Sequence, residues 1–343
     1  MRALAITEYG ARLKELQLPE PELQPGYAIV AVDACGVCQS DVKVSRGRMP
    51  FSPNLALPHV PGHEIAGRVV ACEPKQAIEL ATRVLVIAHL PCRRCSRCVG
   101  GQPQLCLNLD VLGFTRPGGF QERITVPLEN LVLLPPELDT VRAAPIGCAL
   151  GTAYRATVTR GGVRPGMSIT VLGLGGVGIH ALQIAQLAAA TCVGLDISPS
   201  AIGAAHALGL DARSVSDHAV ETEIINELGD GEGFDLVIDA VGHPTTLDQA
   251  SRLVRKGGRL VVVGYMLESP FSIPSHRLAL DELEVLGSRN VTRPELDQVI
   301  RLVASGKLEV VVQRVEPLAR LNEVLDDVES GRVAGRTVMR VDG

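Results

Sequence analysis

The 343-residue sequence contains no tryptophan, has only 3% aromatic residues and carries no excess of basic residues. Its formal net charge of −5 provides no basic patch for nucleic acid and no polybasic anchor for a lipid surface. A content of 46% hydrophobic and 21% charged residues excludes a disordered chain and is typical of a folded globular protein. We therefore expect neither a nucleic-acid partner nor a membrane partner.

The sequence also lacks clear signals for export or membrane insertion. The opening segment MRALAITEYGARLKEL has no apolar h-region and no cleavage site. Ser168 to Leu195 contains no charged residue and is long enough for a membrane span, but its five glycines, two glutamines and histidine favour a buried strand, glycine loop and helix. Since nine cysteines in such a chain indicate a reducing compartment, we expect a cytoplasmic protein.

The length exceeds that of one ordinary hydrophobic core and predicts two domains. Residues 1–150 are short strands broken by proline and glycine, which predicts a β-rich domain. Residues 151–286 alternate strands and helices, which predicts a doubly wound parallel α/β sheet. Residues 287–343 return to amphipathic segments and a short final strand. No internal repeat and no low-complexity segment is visible.

Four cysteines in a polar loop give the strongest signal in the sequence. Their spacing, C-x2-C-x2-C-x7-C, is typical of a closed tetrahedral zinc site of the structural type. A disulfide framework is disfavoured, because nothing else in the chain suggests secretion. The predicted ligands are Cys92, Cys95, Cys98 and Cys106.

A glycine-rich turn after a predicted strand points to a dinucleotide. The pattern G-x-G-x-x-G opens a predicted helix, and Asp196 ends the next strand, which is the context that a Rossmann fingerprint requires. The helix N-terminus would face a pyrophosphate, and Asp196 would accept hydrogen bonds from the adenosine ribose. Because no arginine or lysine follows Asp196 to hold a 2′-phosphate, NAD is favoured over NADP. The predicted turn residues are Gly173, Gly175, Gly176, Val177 and Gly178.

Cys38, His63 and Cys148 form a possible second metal site. Two thiolates and one imidazole would leave a fourth position open for water or substrate. On spacing alone this interpretation is weak, because a lone cysteine is usually a buried hydrophobe and a lone histidine a satisfied polar group. His180 is predicted to pack on the helix after the glycine turn, and His59 to be a loop residue.

Five motifs in order resemble the zinc-dependent medium-chain alcohol dehydrogenases of the medium-chain dehydrogenase/reductase family. They are GVCQSD, PGHEIAGRV, the four-cysteine lobe, APIGCALGTAYRA and VLGLGGVG. The resemblance implies a GroES-like catalytic domain, residues 1–150 and 287–343, with a Rossmann NAD-binding domain, residues 151–286, inserted between its parts. It implies two zinc ions per chain: a catalytic zinc at Cys38, His63 and Cys148, and a structural zinc in the lobe at residues 92–106.

The resemblance also implies an activity and roles for further residues. Hydride would pass between an alcohol and NAD, or in reverse to an aldehyde or ketone, in a homodimer or homotetramer joined at the edge strand near Val285. Ser40 would relay the substrate proton, Asp41 would orient His63, and Glu64 would lie behind the metal. Thr152 would approach the nicotinamide, and Arg336 would contact the pyrophosphate.

Three positions in the predicted site depart from the family pattern. Gln39 stands where a histidine or arginine often contacts the cofactor phosphates. Lys43 stands where a histidine commonly completes the proton relay; either Lys43 would carry the proton, or the ribose hydroxyl would pass it straight to water. Met49 replaces a tryptophan that small-alcohol members frequently have. A flexible thioether there predicts a roomier aliphatic pocket, suited to medium-sized or branched alcohols.

Two other functions are compatible with the motifs. One is an NAD(P)H-dependent reductase of activated C=C or C=N bonds, which the loss of the relay histidine favours and the retained Ser40 and zinc ligands disfavour. The other is a non-enzymatic nucleotide-binding protein, which the complete ligand set and glycine fingerprint disfavour.

Overall fold

The computed structural model describes residues 1–215, 218–267 and 270–341. Their contacts divide the chain into two compact units. The first comprises Met1–Cys148, Val312–Gly331 and Arg336–Gly343, and the second comprises Ala149–Val311 and Arg332–Gly335.

The strands and helices of both units are short and follow the predicted order. The strands are β1 Arg2–Ala5, β2 Lys14–Gln17, β3 Tyr27–Val37, β4 Glu64–Cys72, β5 Arg83–Val86, β6 His89–Leu90, β7 Asp110–Val111, β8 Arg123–Pro127, β9 Leu131–Leu133, β10 Ser168–Leu172, β11 Thr191–Asp196, β12 Ala212–Ser214, β13 Phe234–Asp239, β14 Val254–Val262, β15 Glu284–Gly287, β16 Val312–Pro317 and β17 Arg336–Arg340. The helices are α1 Gln39–Ser45, α2 Ser96–Val99, α3 Thr140–Ala143, α4 Ala149–Tyr154, α5 Gly178–Leu187, α6 Pro199–Ala207, α7 His218–Leu228, α8 Pro244–Leu253, α9 Ser275–Leu280, α10 Arg293–Ala304 and α11 Leu321–Glu329. A π-helical turn, Arg155–Arg160, directly follows α4.

The first unit is built around a mostly antiparallel sheet. Its strand order is β16-β17-β3-β4-β5-β9, and β8 pairs with the first half of β3. In the first part of β3, from Tyr27 to Ala34, buried residues alternate with partly exposed ones, which is the pattern of a sheet with one face on a core. The last residues of β3, up to Val37, are all buried. That core contains Ile65, Val69 and Phe120 from the N-terminal part of the chain and Leu321 and Met339 from the C-terminal part.

The second unit contains the predicted parallel sheet. Its described strands have the order β12-β11-β10-β13-β14-β15, and every pairing is parallel. The uncharged stretch Ser168 to Leu195 forms β10, the glycine loop, α5 and most of β11, as the sequence predicts. Within the described ranges, no helix has the length and apolar content needed to cross a lipid bilayer.

The chain returns to the first unit at Val312, whereas the sequence predicts this return at residue 287. The reason is the packing of α10, which belongs to the second unit. Glu295 in its first turn accepts hydrogen bonds from Arg155 at 2.7 Å and from Thr159 at 2.5 Å. These contacts attach α10 to the π-helical turn that follows α4 in the second unit.

Candidate functional site

The four cysteines of the loop converge as the spacing predicts. The Sγ atoms of Cys92, Cys95, Cys98 and Cys106 lie within 4.8 Å of one another. The short helix α2 places Cys95 and Cys98 one turn apart, with their sulfur atoms separated by 3.5 Å. Four thiols at this separation fit a closed tetrahedral zinc site.

Backbone amides of the lobe donate hydrogen bonds to the sulfur atoms of its cysteines. The Sγ of Cys106 accepts hydrogen bonds from the amides of Cys92 at 3.2 Å and Asn108 at 3.4 Å. Hydrogen bonds from the amides of Leu107 and Cys98 lower the pKa of Cys95 to about 6. Zinc binds the thiolate rather than the thiol, so these amides prepare Cys95 for the metal. Burial and the neighbouring thiol of Cys95 instead raise the pKa of Cys98 to about 12.

A second cluster lies in the first unit, around the end of β3 and the start of β4. One ligand atom each from Cys38, His63, Glu64 and Cys148 lies within 4.8 Å of the others. Cys38 is the N-cap of α1, Glu64 begins β4 directly after His63, and Cys148 precedes α4. Three separated segments therefore deliver two thiols and one imidazole to one point, a donor set that fits zinc.

Asp41 holds two of these ligands in place. Its Oδ1 accepts a hydrogen bond from His63 Nδ1 at 2.9 Å, and its Oδ2 accepts one from the Cys38 amide at 2.9 Å. Asp41 is fully buried, so it contacts these donors without competition from solvent. The bond at Nδ1 leaves Nε2 of His63 as the nitrogen available to a metal.

Glu64 is also fully buried and is paired with Arg336. The Arg336 Nε donates to Glu64 Oε1 at 2.9 Å, and its Nη2 donates to the Sγ of Cys38 at 3.5 Å. The structure thus places Arg336 against the cluster of the first unit. The pyrophosphate contact expected of Arg336 stays a prediction.

The charges of the cluster favour one thiolate. A hydrogen bond from Cys148 lowers the pKa of Cys38 well below its usual value, assisted by Arg336 and His63 and opposed by burial. The same bond, together with burial, raises the pKa of Cys148. Burial raises the pKa of Glu64 to about 7 despite the neighbouring guanidinium.

An aromatic side chain that the sequence analysis did not identify adjoins this cluster. The ring centroid of Phe114 lies 4.7 Å from that of His63 and 5.8 Å from that of Phe51. Both phenylalanines come from loops, where an aromatic residue carries no pattern that would reveal its partner. Met49 lies in the buried core of the first unit, and both phenylalanines pack against that core.

The predicted relay residues share the helix that follows Cys38. Ser40 and Lys43 are three residues apart on α1, a spacing that places both on one helix face. Burial lowers the pKa of Lys43, partly opposed by the charge of Cys38. Gln39 is exposed at the first position of α1. Thr152 is buried in α4 of the second unit.

The glycine loop joins β10 to α5 with the close approaches that the fingerprint requires. Gly173 has a φ of +84°, and a Cβ on Gly178 would lie 1.7 Å from the Gly173 carbonyl oxygen. Glycine is therefore required at Gly178 for the helix to begin at this point. A Cβ on Gly175 would meet no atom within 4 Å, which leaves open space beside the loop.

Asp196 ends β11 beside this loop. Its Oδ2 accepts a hydrogen bond from the Leu174 amide at 2.6 Å, and its Oδ1 accepts one from the Ser198 amide at 2.8 Å. The carboxylate is therefore fixed at the carboxyl edge of the parallel sheet, where nucleotides bind in such folds. The side chain of Ile197 is 79% exposed next to it.

Comparisons with known proteins agree with this arrangement. The sequence matches the family models of the alcohol dehydrogenase GroES-like domain over residues 24–136 and of the zinc-binding dehydrogenase over residues 176–305. An alcohol dehydrogenase from Geobacillus stearothermophilus is 31% identical over 344 residues, covering 99% of each chain. A crystal structure of an NAD-dependent alcohol dehydrogenase superposes with a TM-score of 0.92 at 30% identity, and alcohol dehydrogenase TADH from Thermus sp. ATN1 with 0.90 at 31% identity; both cover 100% of each chain.

Proposed function

Because the chain belongs to the zinc-dependent medium-chain alcohol dehydrogenase family, we propose that it transfers hydride between an alcohol and NAD, and in reverse reduces an aldehyde or ketone. The observation that carries this proposal is the convergence of Cys38, His63 and Cys148 within 4.8 Å. Two zinc ions per chain and a cytoplasmic location are part of the same proposal.

The residues of the first unit would hold and orient a catalytic zinc. When bound, the ion supplies a Lewis acid that lowers the pKa of an alcohol hydroxyl. Cys38 and Cys148 would hold it through their sulfur atoms, and His63 through Nε2. Asp41 fixes the imidazole in the required tautomer through its 2.9 Å bond to Nδ1. Glu64 would lie behind the metal, with its charge balanced by Arg336, which donates to it at 2.9 Å.

Ser40 and Lys43 would move the proton. We assign to Ser40 Oγ the acceptance of the substrate hydroxyl proton and to Lys43 Nζ its transfer toward solvent. Lys43 is suited to this role because burial lowers its pKa, so its neutral amine is more accessible than that of an exposed lysine. It would take the place of the histidine that many family members use.

The second unit would bind the cofactor. NAD, when bound, supplies the carbon that accepts hydride. The loop amides nearest the N-terminus of α5, from Gly175 to Gly178, would face its pyrophosphate, and the Asp196 carboxylate would accept hydrogen bonds from its adenosine ribose. Thr152 would adjoin the nicotinamide, and Gln39 and Arg336 would contact the phosphates. The negative charge of Asp196 disfavours a 2′-phosphate and supports NAD over NADP.

The edge of the parallel sheet supports a homo-oligomer. Among the described strands of the second unit, β15 is paired on one side, with β14. Its residue Val285 is 37% exposed, and Leu280 just before it is 79% exposed. A second copy pairing at this edge would cover both the free backbone groups and the apolar side chains.

Zinc analysis of wild type, Cys38→Ala and Cys95→Ala tests the proposal. We expect two zinc ions in wild type. Cys38→Ala should lose turnover while remaining folded, whereas Cys95→Ala should lose stability because a structural site contributes folding free energy. Cys192→Ala, on β11 of the second unit, is the control and should behave as wild type. One zinc per wild-type chain, retained in Cys38→Ala, would instead favour a C=C or C=N reductase.

A further inference from the structure

His180 is fully buried in the first turn of α5 and contacts two backbone groups. Its Nδ1 lies 2.6 Å from the Gly176 carbonyl oxygen, and its Nε2 lies 3.0 Å from the amide nitrogen of Val311. The Val311 amide can only donate, so Nε2 is the acceptor. The ring proton therefore lies on Nδ1, which donates to the Gly176 carbonyl.

The Gly176 carbonyl belongs to the same peptide as the Val177 amide. In a planar trans peptide the C=O and N–H point in opposite directions, so a bond that fixes one also fixes the other. Val177 is the N-cap of α5, and the amides at a helix N-terminus have no partner within the helix. The bond from His180 thus sets the direction of a Val177 N–H in the glycine loop.

Gln183, one turn further along α5, offers a comparison. Its Nε2 donates to the Glu309 carbonyl at 3.2 Å, and its Oε1 accepts from the Glu309 amide at 3.1 Å. Both side chains hold the segment from Glu309 to Val311 against α5. His180 also bonds to the glycine loop through Nδ1, whereas both hydrogen bonds of the Gln183 side chain go to Glu309.

We propose that His180 is a positioning residue for the cofactor: its Nδ1–H holds the Gly176 carbonyl so that the Val177 amide faces the pyrophosphate of NAD. The inference rests on the proposed function, because it takes the glycine loop as the dinucleotide site. It assigns to a buried histidine outside the fingerprint an effect on cofactor affinity that acts through the Val177 amide.

The test measures the dissociation constant of NADH by its fluorescence, together with Tm, in four variants. In His180→Asn the side-chain amide can replace Nδ1 and donate to Gly176, but it does not reach Val311. In His180→Gln the amide can replace Nε2 and accept from Val311. Gln183→Ala is the matched control, because it removes bonds to the Glu309–Val311 segment without touching the glycine loop. His180→Leu offers neither bond and replaces His180→Gln if His180→Gln does not fold.

We expect Tm to fall in all variants, but the NADH dissociation constant to rise by about tenfold in His180→Gln or His180→Leu alone. In His180→Asn and Gln183→Ala it should stay within about twofold of wild type. A rise in KM for NAD with an unchanged kcat should accompany the loss of affinity. Equal effects of His180→Asn and His180→Gln, or affinity that follows Tm across all variants, would overturn the inference. A wild-type protein that binds no NADH would overturn the proposed function and the inference with it.

Discussion

Arg336 and Glu64 form a buried ion pair, with Nε and Oε1 separated by 2.9 Å, between residues 272 positions apart in the sequence. The pair joins β17 to β4, and the guanidinium also contacts the Sγ of Cys38. Breaking a buried pair leaves one charge without a partner in a low-dielectric site, which costs more than the pair itself contributes.

Arg336→Met should therefore lower the free energy of unfolding by about 3–5 kcal/mol. Urea denaturation at fixed zinc concentration measures this loss. The double variant Arg336→Met/Glu64→Leu should recover part of the stability, because it removes the orphaned carboxylate as well. Arg123→Met, which breaks an exposed pair with Glu20, serves as the control and should change little. Equal losses in the single and double variants would contradict this account.

Asp196→Ala should weaken the proposed preference for NAD over NADP. The carboxylate repels a 2′-phosphate and would accept hydrogen bonds from the ribose, so its removal should lower the ratio of kcat/KM values for the two cofactors by about tenfold or more. Steady-state kinetics with each cofactor measures the ratio. Asp211→Ala, at an exposed carboxylate before β12, should leave it unchanged. An unchanged ratio in Asp196→Ala would show that this carboxylate does not face the ribose.

The substrate pocket should favour alcohols longer than ethanol. Met49 would provide an aliphatic wall where a tryptophan would narrow the pocket, and each buried methylene contributes about 0.8 kcal/mol, or about fourfold in kcat/KM. A series of primary alcohols from ethanol to hexanol, with branched isomers, measures the trend. Met49→Trp should shift the optimum toward ethanol. A steady decrease of kcat/KM with chain length in wild type is the result that would refute the prediction.

His59 should make folding sensitive to pH between about 7 and 5. It is buried, with Nε2 3.1 Å from the Gly113 carbonyl oxygen, and burial lowers its pKa although that carbonyl opposes the shift. Below its ordinary pKa the unfolded state takes up a proton that the folded state does not, so stability is lost as pH falls. The slope is at most about 1.4 kcal/mol per pH unit.

The variant His59→Gln keeps a donor toward Gly113 but does not titrate. Its Tm should therefore decrease less than that of wild type between pH 7 and pH 5. Zinc loss at low pH affects both proteins alike, so the difference between their slopes isolates His59. Parallel slopes would mean that the imidazole takes up its proton equally in the folded and unfolded states.

Much of the architecture could be predicted from local sequence patterns. The spacing of the four lobe cysteines places their sulfur atoms together because the loop is short, and the strand, glycine turn and helix from Ser168 follow from composition and position. Cys38, His63 and Cys148 could not be brought together from spacing alone, since three distant segments deliver them. Their assignment depended on the family resemblance.

Two features required tertiary structure. The amphipathic pattern of α10 predicts a helix with one buried face, but it does not tell which unit that face packs against. The sequence therefore predicts that the chain returns to the first unit at residue 287, whereas it returns at Val312. Likewise, nothing in the sequence near Arg336 indicates that its guanidinium lies beside Glu64. Long-range pairs of this kind are decided by sheet topology rather than by local pattern.

The position of β17 between β16 and β3 has a consequence for synthesis on the ribosome. The 272 residues that separate Glu64 from Arg336 take about 15–50 s to translate at typical rates. Until β17 emerges, the second half of β3 has an unpaired edge and Glu64 has no counterion. The nascent first unit is therefore open to wrong strand pairing until β17 has been made, after the second unit and β16. Chaperone dependence of the yield during expression should accordingly reflect the late arrival of β17.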